Sequence, residues 1–231
     1  MSAPRVSVII PTLNEAGCIG DTLRQVHALP GPKECIVADG NSNDETRSCA
    51  APHATVCTSP RGRGRQMNAG AAEATSPVLL FLHADTTVTP SAWKAMHHAL
   101  KRDTVQAGTF RLSFDRSTPL LRFYAWCTRL NWWGFAFGDR ALFIRRKHFD
   151  AVGGFAPLPI FEDLDMARRL CAHDGFRFLN ESVITSARRF RAVGTLQQQA
   201  QNAQLWLRYM TGTSPWTLAN AYRYDDAVRT A

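Results

Sequence analysis

The sequence predicts an α/β fold: a mixed, mainly parallel sheet flanked by helices in a single domain of 231 residues. Three observations carry this. Four short apolar or β-branched runs fall within the first hundred residues, each leading into a loop or a helix-patterned segment. The fourth run, residues 78–82, is apolar throughout, as a strand buried on both faces of a parallel sheet must be. Composition agrees: 45% hydrophobic and 20% charged residues is the make-up of a folded globular chain.

Residues 5–10 make the first strand and run into Pro11-Thr12-Leu13-Asn14-Glu15. Residues 15–29 then place Ile19, Leu23, Val26 and Leu29 at helical spacing. The second strand, 34–38, ends at Asp39-Gly40-Asn41-Ser42-Asn43-Asp44, where Asn43 or Asp44 caps a helix through Ala51. A third strand at 54–58 leads to an Arg/Gly run, 61–65, and a small-residue helix over 66–75. In the second half, 108–114 alternates Phe110, Leu112 and Phe114 as a half-buried strand does. Residues 118–137 are aromatic, with Arg122 and Arg129 interleaved. A strand at 141–144 and a turn at Gly153-Gly154 follow, then a helix over 163–173 with Leu164, Ala167, Leu170 and Cys171 on one face. Short strands at 176–179 and 183–186 precede a Gln-rich final helix over 195–210. Neither repeat nor linker interrupts the chain, so the second half is expected to complete the same sheet.

The charge is unusual. There are 27 basic and 19 acidic residues, giving +8, and 23 of the basic residues are arginine. Arginine grips phosphate and carboxylate bidentately, so an anionic partner and simple base composition both account for the excess. No apolar run approaches the roughly 18–20 residues that span a bilayer. The start of the chain lacks the long apolar stretch of a signal peptide. Six irregularly spaced cysteines without a C-x-x-C pair fit neither a disulfide scaffold nor a zinc site. A reduced, cytoplasmic setting is expected.

In an open parallel sheet, ligands bind beyond the carboxyl ends of the strands. Asn14 and Glu15 follow the first strand, Asp39 the second and Asp85 the fourth, which suggests one shared site. The chain has neither a G-x-G-x-x-G turn nor a P-loop. Asp39 can accept from a base N–H or a ribose hydroxyl, or act as a turn residue. Asp85 can serve Mg²⁺ or Mn²⁺, which need only one or two carboxylates when phosphate oxygens complete the shell. His83 is a weaker metal candidate. Arg63 and Arg65 precede a helix start that favours anions. Glu162 and Asp163 open a helix, where acidic residues suit the dipole, and either one can serve as a general base.

Taken together, these motifs resemble the family 2 glycosyltransferases with the GT-A fold. Val6-Ser7-Val8-Ile9-Ile10-Pro11-Thr12-Leu13-Asn14-Glu15 looks like the family's opening strand and nucleotide loop. Residues 36–46 are similar to V-x-D-[DG]-x-S-x-D-x-T, and 61–70 to the G-[KR]-G-x-x-x-N-x-G helix start, with Asn68 at the Asn. Leu82-His83-Ala84-Asp85 looks like the D-x-D strand end, and Gly153-Gly154-Phe155 with Glu162-Asp163 matches G-G-F…E-D. A narrower likeness rests on residues 63–68, His83-Ala84-Asp85-Thr86 and 185–190. It is to a small subgroup of soluble bacterial members associated with radical-SAM gene neighbourhoods.

The resemblance implies inverting transfer from a UDP- or GDP-linked sugar to a hydroxyl acceptor. Residues 1–116 would form the nucleotide-binding half and 117–231 the acceptor-side half. Pro11, Asn14, Glu15, Asp39, Arg63, Arg65 and Asn68 would line the nucleotide site. Asp85, with His83 as a weak second ligand, would hold Mn²⁺ or Mg²⁺, and Asp163 with Glu162 would supply the base. Two departures stand out. His83 replaces the first carboxylate of D-x-D, and Arg188, Arg189 and Arg191 stand where many relatives place a His or Q-x-x-R-W. Arg188 or Arg189 would then hold phosphate charge and reduce dependence on metal. The His83 replacement also suits a catalytically weak nucleotide-sugar-binding module. Nucleic acid is not expected as a partner. The aromatic belt at 118–137 reads as an acceptor wall or core, as a peripheral contact at the inner membrane face, or as a homodimer contact.

Overall fold

The structure is a computed structural model that describes residues 4–188 and 195–221. One eight-stranded sheet organises it, with strands β1 (Val6–Thr12), β2 (Lys33–Asp39), β3 (Thr55–Thr58), β4 (Val78–Phe81), β5 (Thr86–Val88), β6 (Ala107–Phe114), β7 (Leu142–Arg145) and β8 (Phe176–Thr185). Their order across the sheet is β3-β2-β1-β4-β7-β6-β8-β5. The first four strands run parallel; β7 is antiparallel to both β4 and β6, β8 is parallel to β6, and β5 closes the edge antiparallel to β8. The expected open, mainly parallel sheet is therefore present, and the second half does complete it.

Period-two alternation divides each central strand between two cores. Val8 and Ile10 of β1, Val37 of β2 and Leu80 of β4 face one core with Ile19, Leu23 and Val26 of α1 (Ala16–Ala28) and Trp93 and Met96 of α4 (Pro90–Ala99). Ile9, Ile36, Leu79 and Phe81 face the other, with Met67 and Ala71 of α3 (Arg63–Glu73), Phe149 of α6 (Arg146–Ala151) and Met166 and Leu170 of α7 (Glu162–Cys171). Each such side chain contributes about 1.5–3 kcal/mol when fully buried, so every central residue is held from one side or the other.

Several boundaries differ from the sequence reading. α2 spans only Thr46–Ala50. α3 begins at Arg63, three residues before its expected start, so Arg63 and Arg65 lie on the helix and not in the loop before it. The pair β5 and α4 had no place in the sequence reading. β5 is only three residues long, but α4 carries a legible start, Thr89-Pro90, whose Thr89 hydroxyl accepts from the Ala92 N–H at 3.1 Å. The two short strands expected at 176–179 and 183–186 are one strand, β8. A register shift against β6 between Thr109 and Arg111 absorbs the polar residues 180–182 that separate the two expected segments. A helix, α6, precedes Gly153. The aromatic stretch holds α5 (Pro119–Cys127) and two 3-10 turns, Trp133–Phe135 and Gly138–Arg140. The helix α8 (Thr195–Met210) is followed by a short α9 (Pro215–Ala221) and is not the last.

Arginines close three helix ends. Arg146 donates to the carbonyls of Ala71 and Ala74 after α3, Arg145 to Leu100 after α4, and Arg169 to Val152 and Gly154 after α6. These carbonyls lack intrahelical partners, and the five N–H groups of a guanidinium satisfy two or three at once.

At the amino end of the sheet, Glu34 accepts from Ser7, Thr75 and Ser76, joining β1 and β2 to the loop before β4. Burial opposes its ionisation, but the hydrogen bonds from Ser7, Thr75 and Ser76 prevail and take it from 4.5 to about 2. A depressed carboxylate stabilises above its unfolded value, and that contribution disappears as pH falls through the folded one. Glu34→Gln should therefore cost about 2 kcal/mol at pH 7. In urea melts across pH, the difference from wild type should close between pH 4.5 and about 2. A gap that stays constant over this range would contradict the assignment.

Candidate active site

The carboxyl ends of β1, β2 and β4 bring the expected polar residues to one edge. Asn14, at φ 54°, donates its backbone N–H to Ser42 at 2.9 Å, and its side chain accepts from the Asn43 N–H at 2.9 Å. The Glu15 N–H donates to Thr46 at 2.7 Å and the Ala16 N–H to Asp44 at 3.1 Å. The loop after β1 is thus stitched to the loop after β2. Pro11 sits inside β1, fully buried and level with Ala38.

Asp39 is the knot of that seam. Its carboxylate has no exposure and accepts from the Ser42 N–H at 2.8 Å, the Ser42 hydroxyl at 2.5 Å and the Thr12 hydroxyl at 3.2 Å, with Arg47 at 3.9 Å. Gln66, a residue the sequence reading passed over, reaches from α3 to donate to the carbonyls of Thr12 at 2.6 Å and Ala38 at 3.0 Å. Asn68, expected at the nucleotide, bonds both backbone groups of Phe155 at 2.8 and 2.9 Å. It holds the turn in which Gly154 has φ 67°, and a Cβ there would come within 2.8 Å of the Asn68 oxygen.

Two clusters of charge lie on this edge. The first joins Glu15 and Asp85 through Arg188, whose guanidinium bonds the Glu15 carboxylate and stands 3.7 Å from Asp85. Burial works against the charge on Arg188, but the Glu15 contacts prevail and raise its pKa. The neighbouring Cys18 thiol is pushed up to about 12 by burial and then by Glu15, so it is a neutral packing group. Arg189, the other arginine expected at phosphate, lies outside the described residues, as does Arg191.

The second cluster surrounds Asp163. Its two oxygens accept from the Gly138 N–H at 2.5 Å and the Leu164 N–H at 2.7 Å. Glu162 is 2% exposed and meets Arg63 at 2.6 Å. Burial, and then Asp163, push the Glu162 carboxyl up, while Arg63 pulls it down. Arg63, expected at a diphosphate, is therefore engaged at α7, while Arg65 is exposed on α3. His83 Nδ1 faces Asp139 at 3.2 Å. A Cβ at Gly138 would fall 2.9 Å from His83 Nε2 and 3.1 Å from the Asp163 oxygen, so both side chains crowd this position and the close approach requires glycine. A cavity of about 30 Å³ lies among His83, Gly138, Glu162 and Asp163, with Phe81, Phe137 and Phe155 among its apolar walls. It accommodates a water molecule or two and not a hexose. Asp139 and Gly138 were absent from the expected set, because nothing in a short polar turn marks the strand end it will meet.

Among the described residues no three His, Cys, Asp or Glu side chains group as a metal site. Asp85, 9% exposed at a strand end, has the single-carboxylate chemistry that Mn²⁺ or Mg²⁺ requires when a diphosphate supplies the other oxygens. His83 is engaged through Nδ1 with Asp139.

Residues 7–160 match the family model described as glycosyl transferase family 2. The chain belongs to that family. Among its curated family relatives, the probable glycosyltransferase YdaM of Bacillus subtilis is 28% identical over 247 residues, covering 95% of this chain and 56% of that protein. The uncharacterized glycosyltransferase Rv0539 of Mycobacterium tuberculosis is 37% identical over 87 residues, 37% of this chain and 38% of its own. The chain thus spans about half the length of the first relative and less of the second. Solved structures share the GT-A fold. The mannosyltransferase PcManGT of Pyrobaculum calidifontis, in complex with GDP-Man and Mn²⁺, has a TM-score of 0.61 at 21% identity, covering 99% of this chain and 76% of that one. The glucosyl-3-phosphoglycerate synthase of Mycobacterium tuberculosis, in complex with Mn²⁺, UDP and glucosyl-3-phosphoglycerate, has a TM-score of 0.62 at 19% identity, covering 89% and 79%.

The Arg63–Glu162 pair gives a stability test. Arg63→Met leaves a buried carboxylate without its partner, and should cost about 1–3 kcal/mol at pH 7, discounted because the Arg63 side chain is 40% exposed. The loss should shrink as pH falls and Glu162 takes up a proton, as read by urea denaturation. A loss independent of pH would mean that Arg63 acts only through packing.

Proposed function

We propose that this chain is a glycosyltransferase that moves a sugar, with inversion, from a nucleoside-diphosphate sugar to a hydroxyl acceptor. The observation that carries this is one edge of one sheet where Glu15, Asp85 and Arg188 form an ionic cluster and Asp163 stands beside His83. Family membership and the nucleotide-sugar complexes of fold neighbours support the same reading.

In this reading residues 1–116 carry the donor and 117–231 the acceptor side. Glu15 and Asn14 border the nucleoside, with Pro11 beneath them. A base or ribose contact at Asp39 exchanges against the Ser42 hydroxyl that now occupies it. Asp85 would hold Mn²⁺ or Mg²⁺, and the ion would supply positive charge for the departing diphosphate. Two backbone N–H groups fix the Asp163 carboxylate and leave lone pairs for an acceptor hydroxyl proton. Glu162 and Arg63 anchor the start of α7 beneath it, and Asn68 keeps the Phe155 turn in place. The reading extends to the radical-SAM-associated subgroup on the strength of residues 63–68, 83–86 and 185–190.

The aromatic belt divides in the structure. Trp132 and Phe135 pack against Trp206, whereas Phe123 and Trp126 are 61% and 53% exposed beside exposed Arg122 and Arg129. Basic residues among exposed aromatics suit an anionic lipid surface. Among the described residues no helix is long and apolar enough to cross a membrane.

Two measurements test this. UDP or GDP should raise the melting temperature, more so with Mn²⁺, and Asp85→Ala should remove the Mn²⁺ increment. With a matching donor and acceptor, Asp163→Asn should lower turnover about 10²–10⁴-fold, read as released nucleoside diphosphate. If neither nucleotide shifts the melt, the reading fails; binding without turnover on any acceptor leaves the binding-module alternative. Separately, the protein should co-sediment with anionic vesicles and lose this with Phe123→Ser/Trp126→Ser. Recovery wholly in the supernatant, or a dimer disrupted by the same changes, would contradict the membrane contact.

A further inference from the structure

Asp85 and Glu15 leave the carboxyl ends of β4 and β1, which are adjacent parallel strands. The two carboxylates share one cation. Arg188 supplies it: one guanidinium nitrogen bonds Glu15 and another stands 3.7 Å from Asp85.

The backbone brings it there. β8 pairs with β5, so Thr185 lies opposite Thr86 and the two hydroxyls meet at 3.0 Å. The Ser186 N–H then donates to the carbonyl of Asp85 itself at 3.1 Å, and the Ala187 N–H to Asp115 at 2.8 Å. Arg188 follows directly. Its position relative to Asp85 is set by a ladder and two loop bonds, not by a flexible tether. Its side chain keeps 35% exposure, and a guanidinium has five N–H groups, of which Glu15 and Cys18 take two. Donors remain for an incoming anion.

We propose that Arg188 is a resident cation of the diphosphate subsite, so that a nucleoside diphosphate binds without a divalent ion. This rests on the glycosyltransferase reading and deepens it. Asp85 has a carboxylate neighbour, Glu15, and a fixed positive charge before any metal arrives. The first acidic position of a D-x-D strand end is His83 here, and its Nδ1 faces Asp139. The charge that a second carboxylate would recruit through metal is supplied by the chain. Glu15 is then a positioning residue that holds the guanidinium.

The test is calorimetric titration of UDP and GDP in EDTA and in Mn²⁺, on wild type, Arg188→Ala and Arg188→Lys. Wild type should bind at least one nucleotide in EDTA. Arg188→Ala should weaken that binding about 10- to 100-fold, the range of a charge-assisted hydrogen bond, and Mn²⁺ should restore part of it. Arg188→Lys keeps the charge without the fork and should fall between; it decides the matter where Arg188→Ala does not fold. Wild-type binding that vanishes in EDTA but appears in Mn²⁺ overturns the proposal and leaves the glycosyltransferase reading intact. Arg188→Ala binding as wild type in EDTA does the same. Absence of binding in both media overturns the two together.

Discussion

A carboxylate with no access to water organises the reactive edge of this molecule. Asp39 ends β2, and burying its charge is tolerable only because Ser42 and Thr12 direct three donors at it. Those bonds fix the loop after β2. That loop in turn receives the backbone of Asn14, Glu15 and Ala16 through Ser42, Thr46 and Asp44. The first turn of α1, and with it the Glu15 carboxylate, inherits its place from Asp39. Gln66 binds the same two strand ends from the opposite face, so the edge is clamped above and below. Ligand contacts are thereby built on rigid supports, which lowers the ordering cost of binding.

Part of the large arginine count has an architectural explanation. Arg145, Arg146 and Arg169 terminate helices by satisfying carbonyls that would otherwise be bare. Arg140 is fully buried and donates to the carbonyls of Phe110 and Phe135; burial brings its pKa down to about 10. Arg63 neutralises Glu162 within the protein. Arg188 stands at the edge where Glu15 and Asp85 meet. The formal +8 is therefore an indirect guide to partners, since some of these arginines act inside the fold.

The sheet was legible because β1, β2 and β4 are continuous apolar runs between loop residues, a local signal. The acidic strand ends were legible for the same reason: once a strand is placed, the residue after it has an address. What local pattern does not carry is pairing between distant segments. Residues 180–182 are polar and split the expected strand in two, but the β6 ladder accepts them by shifting register. Arg63 and Asn68 are polar residues at a helix start, and the sequence assigned both to a ligand. Their partners, Glu162 and Phe155, are close to a hundred residues away along the chain, and only the folded arrangement shows the side chains already engaged. Arg188 was legible as a basic residue near the site, and its carboxylates were not.

The pairing of β5 with β8 has a consequence for how the molecule comes into being. Thr86 and Thr185 are 99 residues apart, whereas β1, β2, β3 and β4 are joined by short crossovers. Contacts of such separation form late, because the loop must be closed before they give any stability. As the chain emerges from synthesis, the parallel half can assemble with Glu15 and Asp85 in place but with no cation between them. That half carries an unbalanced negative edge until the last strand docks. The docking of β8 brings Arg188 to that edge, so closing the sheet and completing the charged site go together.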